Sequence, residues 1–239
     1  MIGALLLAAG SGSRMQGEIK DKLLHPIGTK HAFFLSCQSF LQVEEVSSLV
    51  ITYKDSAQLS KLQESWEQIK ASSIQCQDRQ VLWVKGGKAR QDSVDLGLHA
   101  FPKEITHTMI HDCARPFIRP QTISQCAREI AKNRSITLAR HLKDTLRLRV
   151  EGTQDPLDPA KTRTLDRANH WLIETPQGAP KAWLLEGLKK AKKENILLTD
   201  DMAAVELIGH PVGFIEPNYP NPKITTPDDF AYAEFLYNS

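Results

Sequence analysis

The sequence predicts an α/β fold in which a largely parallel sheet is covered on both faces. Three observations point there. Short, branched apolar runs at Ile2–Leu7, Leu49–Thr52, Val81–Val84, Thr108–His111, Ile136–Ala139 and Val212–Ile215 have the length of strands buried on both sides. Segments of helical spacing stand between successive runs. Glycine-rich loops follow the first and third runs, and ligands of such sheets bind beyond the strands' carboxyl ends. With 239 residues and a hydrophobic fraction of 41%, one large domain with an ample core, or one domain with a small appendage, is expected.

The first run opens into Ala8-Ala9-Gly10-Ser11-Gly12-Ser13-Arg14-Met15, with Lys22 closing the loop. Small residues let the backbone come close to a ligand. Gly10 and Gly12 can take φ > 0, and successive N–H groups then turn inward as an anion-binding concavity. Arg14 and Lys22 add two fixed positive charges, so the loop fits a polyphosphate. A dinucleotide-binding turn would need a third glycine where Met15 stands, and no G-x-x-x-x-G-K-[ST] phosphate loop occurs.

Further along, Phe33, Phe34, Cys37, Phe40 and Leu41 share one helical face, as do Leu59, Leu62, Trp66 and Ile69. Gly86-Gly87-Lys88-Ala89-Arg90-Gln91-Asp92-Ser93 follows the third strand, and Asp92 or Ser93 is the expected cap of the helix carrying Val94, Leu98 and Phe101. Asp112-Cys113-Ala114-Arg115-Pro116 leaves the fourth strand. An isolated Asp112–Arg115 couple would read as a structural ion pair. Its place at a third strand terminus on the same sheet edge makes both residues site candidates. Pro120 opens the helix with Ile123, Ala127 and Ile130.

Between Asp144 and Asp166 the period changes to two. Thr145–Val150 alternates, Glu151-Gly152 turns, Pro156 and Pro159 interrupt, and Thr162–Leu165 alternates back. This predicts a two-stranded arm. A lone hairpin is marginal in water, so the arm is expected to pack on a second copy of the chain, the alternative being a hairpin folded back on its own domain. Thr175-Pro176-Gln177 leads to a helix with Trp183, Leu184, Leu188 and Ala191 on one side. Lys189, Lys190, Lys192 and Lys193 form its solvated far face near the helix C-terminus. Thr199-Asp200-Asp201 is read as a cap with first-turn acids, and the last helix is expected from Pro227.

Composition narrows the partners. A formal net charge of +2 implies neither a nucleic acid nor a membrane surface as partner. The four cysteines, Cys37, Cys76, Cys113 and Cys126, form no C-x-x-C pair and have no histidine at ligand spacing, which suits reduced thiols in a cytoplasmic protein. The apolar N-terminus lacks a basic flank and a cleavage site and is too short to span a bilayer, so it reads as strand. No transit peptide is seen, and the expected location is the cytoplasm, or an organelle stroma in a plastid-bearing source.

In this order, the loop Ala8–Met15, Gly86-Gly87 with Arg90 and Asp92-Ser93-Val94, and His111-Asp112-Cys113-Ala114-Arg115-Pro116 resemble the 2-C-methyl-D-erythritol 4-phosphate cytidylyltransferase family of the non-mevalonate isoprenoid pathway. Asp144-Thr145, Asp166-Arg167 with Trp171, Thr175-Pro176-Gln177, Thr199-Asp200 and Lys223-Ile224-Thr225 extend the likeness over nearly the whole chain. The resemblance implies a Rossmann-like three-layer nucleotidyltransferase fold, one cytidylyltransferase domain over 1–239, and a protruding two-stranded β-arm over 143–169 that forms a homodimer. It implies transfer of a cytidylyl group from CTP to methylerythritol phosphate with release of pyrophosphate. Mg2+ or another divalent cation would be held mainly by the CTP phosphates, with no protein metal ligand assigned.

Carried over residue by residue, the resemblance puts Arg14 and Lys22 on the CTP phosphates. It puts Ala8, Ala9, Gly10, Gly12, Gly86, Gly87, Arg90, Ser93 and Asp112 around the nucleotide. Lys223, and Arg167 from the neighbouring subunit's arm, would position the substrate phosphate, and Asp112, Arg115, Thr145, Thr175 and Thr199 would line the sugar-phosphate pocket. Three departures stand out. Asp21 precedes Lys22 where the family usually has proline, in a loop one residue longer that also offers Lys20. Lys88 stands where an acid is common, and Cys113 replaces an alanine. The same loops are shared by cytidylyltransferases of other polyol phosphates such as ribitol 5-phosphate, and a homologue that binds nucleotide without turnover is the reading from another class.

Overall fold

The branched apolar runs assemble into one seven-stranded sheet in a computed structural model that describes residues 1–10, 12, 15, 19–72, 79–152 and 161–239. In chain order the elements are β1 (Ile2–Leu7), a small hairpin of β2 (Pro26–Ile27) and β3 (Lys30–His31), α1 (Ala32–Leu41), β4 (Val46–Tyr53), α2 (Ser56–Ala71) and β5 (Gln80–Lys85). Then come α3 (Arg90–Ala100), β6 (His107–Asp112), α4 (Pro120–Ile130), β7 (Ser135–His141), β8 (Arg147–Glu151) and β9 (Lys161–Thr164). The chain ends through β10 (Trp171–Pro180), α5 (Lys181–Lys193), α6 (Met202–Leu207), β11 (Val212–Ile215) and α7 (Asp229–Tyr237). The sheet order is β11-β7-β10-β6-β1-β4-β5. β1 pairs in parallel with β4 and β6, β4 with β5, and β11 with β7, whereas β10 runs antiparallel between β6 and β7.

The continuous apolar character of the central strands follows from their two buried faces. Ala4, Leu6, Leu49, Ile51 and Met109 face a core closed by α1, α2, α4 and α7, with Phe33, Phe40, Leu62, Ile69, Ile123 and Phe230 among its members. The alternate residues Leu5, Val50 and Ile110 face a second core built by α3, α5 and α6 through Val94, Leu98, Leu184 and Val205. Three layers result, as expected. Each fully buried large apolar side chain contributes roughly 1.5–3 kcal/mol.

Local rules explain several boundaries. Pro120 sits at the first turn of α4, where its missing N–H costs nothing. α3 starts earlier than expected, with Ala89 as its cap residue. Asp92 is therefore inside the first turn, and its carboxylate accepts the Ala89 N–H at 3.0 Å. α7 begins at Asp229, two residues after Pro227, because Asp229 accepts the N–H groups of Thr225 and Thr226 at 2.7 and 2.8 Å. β10 is a strand that periodicity does not reveal. Its Glu174-Thr175-Pro176-Gln177-Gly178 stretch is polar and carries breakers, yet it lies buried, with a register irregularity against β7 between Glu174 and Gln177.

The arm is present as a separate antiparallel pair, β8 with β9, in register Arg147↔Thr164 and Leu148↔Arg163. Most of its residues are exposed in the single chain. Pro156 and Pro159 lie outside the described residues, as does Cys76. Cys37, Cys113 and Cys126 are buried free thiols. Among the described residues no helix is long and apolar enough to cross a membrane.

Candidate active site

Parallel strands direct their carboxyl ends to one edge of the sheet, and β1, β4, β5 and β6 all end there. A cavity of about 410 Å³ opens at that edge. Ala9, Gly10 and Gly12 line it from the loop after β1, Thr52 and Lys54 from β4 and its end, and Gly87, Lys88, Arg90 and Ser93 from the loop into α3. Asp112 and Ala114 close one side, and Lys22, Lys223 and Thr225 complete the wall.

Tight backbone contacts bring the two glycine loops together. Ala8 is buried beneath them, and its N–H donates to Thr52 Oγ1 at 3.1 Å. Gly86 N–H donates to Tyr53 O at 2.8 Å. A Cβ on Gly86 would sit 2.4 Å from Ala9 Cβ and 2.9 Å from Ser93 Oγ, so only glycine permits this approach. Ser93 acts as a clamp on its own loop, because its Oγ accepts Gly87 N–H at 3.0 Å and donates to Ala89 O at 3.3 Å. Gly12 takes φ +64°, which fits the expected inward turn, whereas Gly10 lies outside the left-handed region.

Lys22 reaches across the cavity, and its Nζ donates to Ile224 O at 2.8 Å. The Asp21 carboxylate beside it is engaged elsewhere. Asp21 Oδ1 accepts Leu23 N–H at 2.9 Å, and Oδ2 accepts Gln58 Nε2 at 2.7 Å. Gln58 also donates to Ala8 O at 3.2 Å and accepts Lys54 N–H at 2.7 Å, so it ties the Lys22 loop to the ends of β1 and β4. Asp21 thus acts as a local brace for the Lys22 loop.

From the cavity wall inward runs a row of alternating charges. Lys223 Nζ donates to Asp112 Oδ2 at 2.6 Å. Arg90 Nε and Nη2 approach Asp112 Oδ1 at 3.3 and 3.2 Å, and Arg90 Nη1 and Nη2 grip Asp201 at 2.7 and 2.8 Å. Burial alone would raise the Asp112 pKa, but the Arg90 and Lys223 charges outweigh it and hold the carboxyl well below the usual range. Burial opposes the Arg90 charge too, and the two carboxylates overcome it, so the guanidinium is held firmly cationic. Burial pushes Asp201 upward even with the guanidinium against it.

Asp112 and Arg115, read as site candidates and not as a structural ion pair, have separate partners. Arg115 braces the neighbouring chain segments, donating from Nη1 to Asn221 O at 2.9 Å and from Nη2 to Ile173 O at 3.4 Å. Thr175 sits behind Asp112. Its Oγ1 accepts the Asp112 N–H at 3.1 Å and contacts His111 Nδ1 at 3.1 Å, while His111 Nε2 meets Arg115 O at 3.1 Å. A carbonyl can only accept, so Nε2 carries the proton and Nδ1 accepts from the Thr175 hydroxyl. Burial lowers the His111 pKa to about 4, which keeps the ring neutral.

Not every sequence candidate converges on the cavity of one chain. Thr145 and Thr199 are exposed. Arg167 is also exposed, and its Nη1 donates to Lys143 O at 2.6 Å at the root of the arm. Arg14 lies outside the described residues. Conversely, sequence reasoning missed Lys54, Thr225 and Asp201. Asp201 reads as a first-turn acid, but it turns inward to Arg90, a partner 111 residues away. Lys54 follows directly on a buried strand, which was the available signal.

Among the described residues the donor set at the cavity does not suit a metal held by the protein. Among the described residues no group of three or more His, Cys, Asp or Glu side chains is placed to hold an ion. The Asp112 oxygens face Arg90 and Lys223, and those of Asp201 face Arg90. The wall also carries the ammonium groups of Lys22, Lys54, Lys88 and Lys223, positive charge suited to an anion.

Comparison with known proteins agrees with this architecture. The IspD family model, 2-C-methyl-D-erythritol 4-phosphate cytidylyltransferase, matches residues 2–239. The 2-C-methyl-D-erythritol 4-phosphate cytidylyltransferase of Prochlorococcus marinus (strain MIT 9313) is 32% identical over 232 residues, covering 96% of this chain and 95% of that protein. The protein of the same name from Synechococcus sp. (strain WH7803) is 31% identical over 231 residues, with 96% of each chain covered. In fold, the chain is similar to the 4-diphosphocytidyl-2C-methyl-D-erythritol synthase of Anaerococcus prevotii DSM 20548, with a TM-score of 0.80 at 22% identity over 100% of this chain and 96% of that one. From the family match across nearly every residue, the chain belongs to the 2-C-methyl-D-erythritol 4-phosphate cytidylyltransferase family.

Proposed function

We infer that the protein transfers the cytidylyl group of CTP to 2-C-methyl-D-erythritol 4-phosphate, giving 4-diphosphocytidyl-2-C-methyl-D-erythritol and pyrophosphate. The observation that carries this reading is the meeting of Lys22 and the Lys223-Ile224 segment, 202 residues apart, across one cavity by a 2.8 Å hydrogen bond. Two cations from distant parts of the chain there face a space large enough for a nucleotide.

The chemistry fits such a wall. A phosphomonoester has a second pKa of about 6, so its oxygen is already an anionic nucleophile at neutral pH. It attacks the α-phosphorus in line, the bond to the β-phosphate oxygen breaks, and the electron pair leaves with pyrophosphate. No general base is required. The obstacle is repulsion between two anions, and alignment with fixed positive charge lowers it. Lys22 and Arg14 serve the triphosphate, while the N–H groups around Ala9, Gly10 and Gly12 add dipoles. Gly86, Gly87 and Ser93 meet the base and ribose. Lys223 holds the incoming phosphate, with Arg167 of the neighbouring subunit on its other side. Mg2+ supplies further charge neutralisation as the companion of the triphosphate.

The arm supports a dimer. Leu148 and Val150 are 42% and 49% exposed, and Leu172 beside the arm is 52% exposed, an apolar face that a second copy would cover. Arg167 follows β9 and would reach the partner's cavity from there. Thr145 and Thr199 would meet the sugar phosphate at the same rim.

Pyrophosphate release from CTP and Mg2+ with methylerythritol phosphate, run beside ribitol 5-phosphate, tests the reading. A kcat/KM at least ~100-fold higher for methylerythritol phosphate is expected. Equal use of both, a preference for ribitol 5-phosphate, or CTP binding with no product overturns the assignment.

A further inference from the structure

Behind Arg90, which lines the cavity, stands an acid that the chemistry above does not use. Asp201, at the entrance to α6, keeps 3% of its side chain exposed and takes Arg90 Nη1 and Nη2 on its two oxygens at 2.7 and 2.8 Å. A two-point fork of this kind sets the plane of a guanidinium, which a single contact does not. Asp201 is itself held in place. Its N–H donates to Gln177 Oε1 at 2.8 Å, Gln177 Nε2 donates to Asp200 Oδ2 at 3.0 Å, and Asp200 Oδ1 accepts Ala203 N–H at 2.8 Å. With the guanidinium clamped from that side, its remaining edge meets Asp112 Oδ1, which leaves Asp112 Oδ2 for Lys223 at 2.6 Å.

We propose that Asp201 is a positioning residue for cytidylyl transfer, setting the place of the Lys223 ammonium through Arg90 and Asp112. The inference rests on the reading of Lys223 as the ligand of the incoming phosphate. Two arguments carry it. Burying carboxylates beside a guanidinium is costly, and an apolar pair of similar shape would hold α3 against the start of α6 as well, so packing alone does not call for these charges. The second argument is the charge sum. Lys223, Asp112, Arg90 and Asp201 alternate in sign and cancel, so the row orients a substrate without adding attraction for the triphosphate.

Removing the Asp201 charge leaves one excess positive charge on the row and releases an arginine that lines the cavity. CTP is then held more tightly, while Lys223 is misplaced and turnover slows. A residue that only braced the fold would not tighten the nucleotide.

The test compares kcat, both KM values and the calorimetric Kd for CTP with Mg2+ in the parent, Asp201→Asn and Asp201→Glu. Asp201→Asn is expected to lower kcat about tenfold or more while the CTP Kd falls about threefold. Asp201→Glu, which keeps the charge but shifts the fork, is expected to lose rate without tightening CTP. The double variant Arg90→Met/Asp201→Leu removes both charges and preserves packing. It is expected to melt near the parent and remain about tenfold slow. A parent-like kcat and Kd in Asp201→Asn, or a parent-like rate in the double variant, overturns the proposal. Should Asp201→Asn fail to fold, the double variant decides alone. Failure of the parent to release pyrophosphate sinks the assigned reaction instead, and the CTP Kd of Asp201→Asn still judges the charge argument separately.

Discussion

Around Asp112, four charged side chains from four parts of the fold satisfy one another, and the two acids are only 10% and 3% exposed. In the arm, β8 and β9 are paired with each other, while Leu148 and Val150 stand 42% and 49% exposed. The first region finds its partners inside one chain. The second has apolar surface that a single chain leaves in water. A cavity edge with internally matched charges can be assembled once the sheet closes, whereas under the proposed dimer the arm's contribution would wait on a second copy. If Arg167 acts from that arm, folding and site completion are separate events.

The largest expected effect tests the self-contained half of this contrast. Lys22→Ala and Arg14→Ala each remove a fixed cation of the loop after β1, at a cost of about 3–4 kcal/mol of barrier by analogy with oxyanion donors. Turnover should fall at least ~100-fold with a melting temperature near the parent's. Steady-state rates like the parent's in either variant would end the role given to that residue.

Mixing subunits sharpens the other half. Arg167→Ala should be slow by about tenfold or more, and Lys22→Ala by the ~100-fold or more already given. If the arm completes its neighbour's cavity, subunit exchange at equal amounts gives half heterodimers with one intact site each, so activity recovers to about a quarter of the parent. No recovery after exchange, verified by differently tagged chains in one dimer, would show that each chain uses its own Arg167.

A smaller effect probes the polar backing of the cavity. His111 has a pKa lowered by burial to about 4, below the ordinary value of 6.5. Between those values the unfolded chain binds the extra proton, so stability declines as pH falls through that window. Denaturant unfolding should give about 2 kcal/mol less stability at pH 5 than at pH 7 from this group. His111→Gln keeps a donor for Arg115 O and should flatten that slope. The difference between the two profiles isolates His111 from His31, whose pKa burial also lowers. Identical slopes would remove His111 from the account.

Much of the fold was legible in the sequence, because the central strands are apolar on both faces and the helices between them carry one apolar stripe. The carboxyl-edge loops were legible too. Gly86 is glycine for a reason of space that the Gly86-Gly87 pair already suggested, and Lys22 was singled out by its place after the first loop. β10 was not legible, since its buried polar stretch serves hydrogen bonds to β6, β7 and α6 and not an apolar face. The partners of Asp112 and Arg115 were not legible for a related reason. Two charges close in sequence found better-placed partners far away.

By itself the sequence determined which segments become strands and helices, which loops carry glycine and positive charge, and that an alternating hairpin leaves the main sheet. Those are properties of local periodicity and backbone freedom, readable within a few turns of chain. Only the tertiary structure decided that Asp201 grips Arg90 across 111 residues, that Lys22 reaches Ile224 across 202, and that Thr175 lies behind Asp112 against His111. A buried charge or hydroxyl takes whichever partner the topology brings within hydrogen-bond distance, and that choice depends on strand order, which no local pattern encodes.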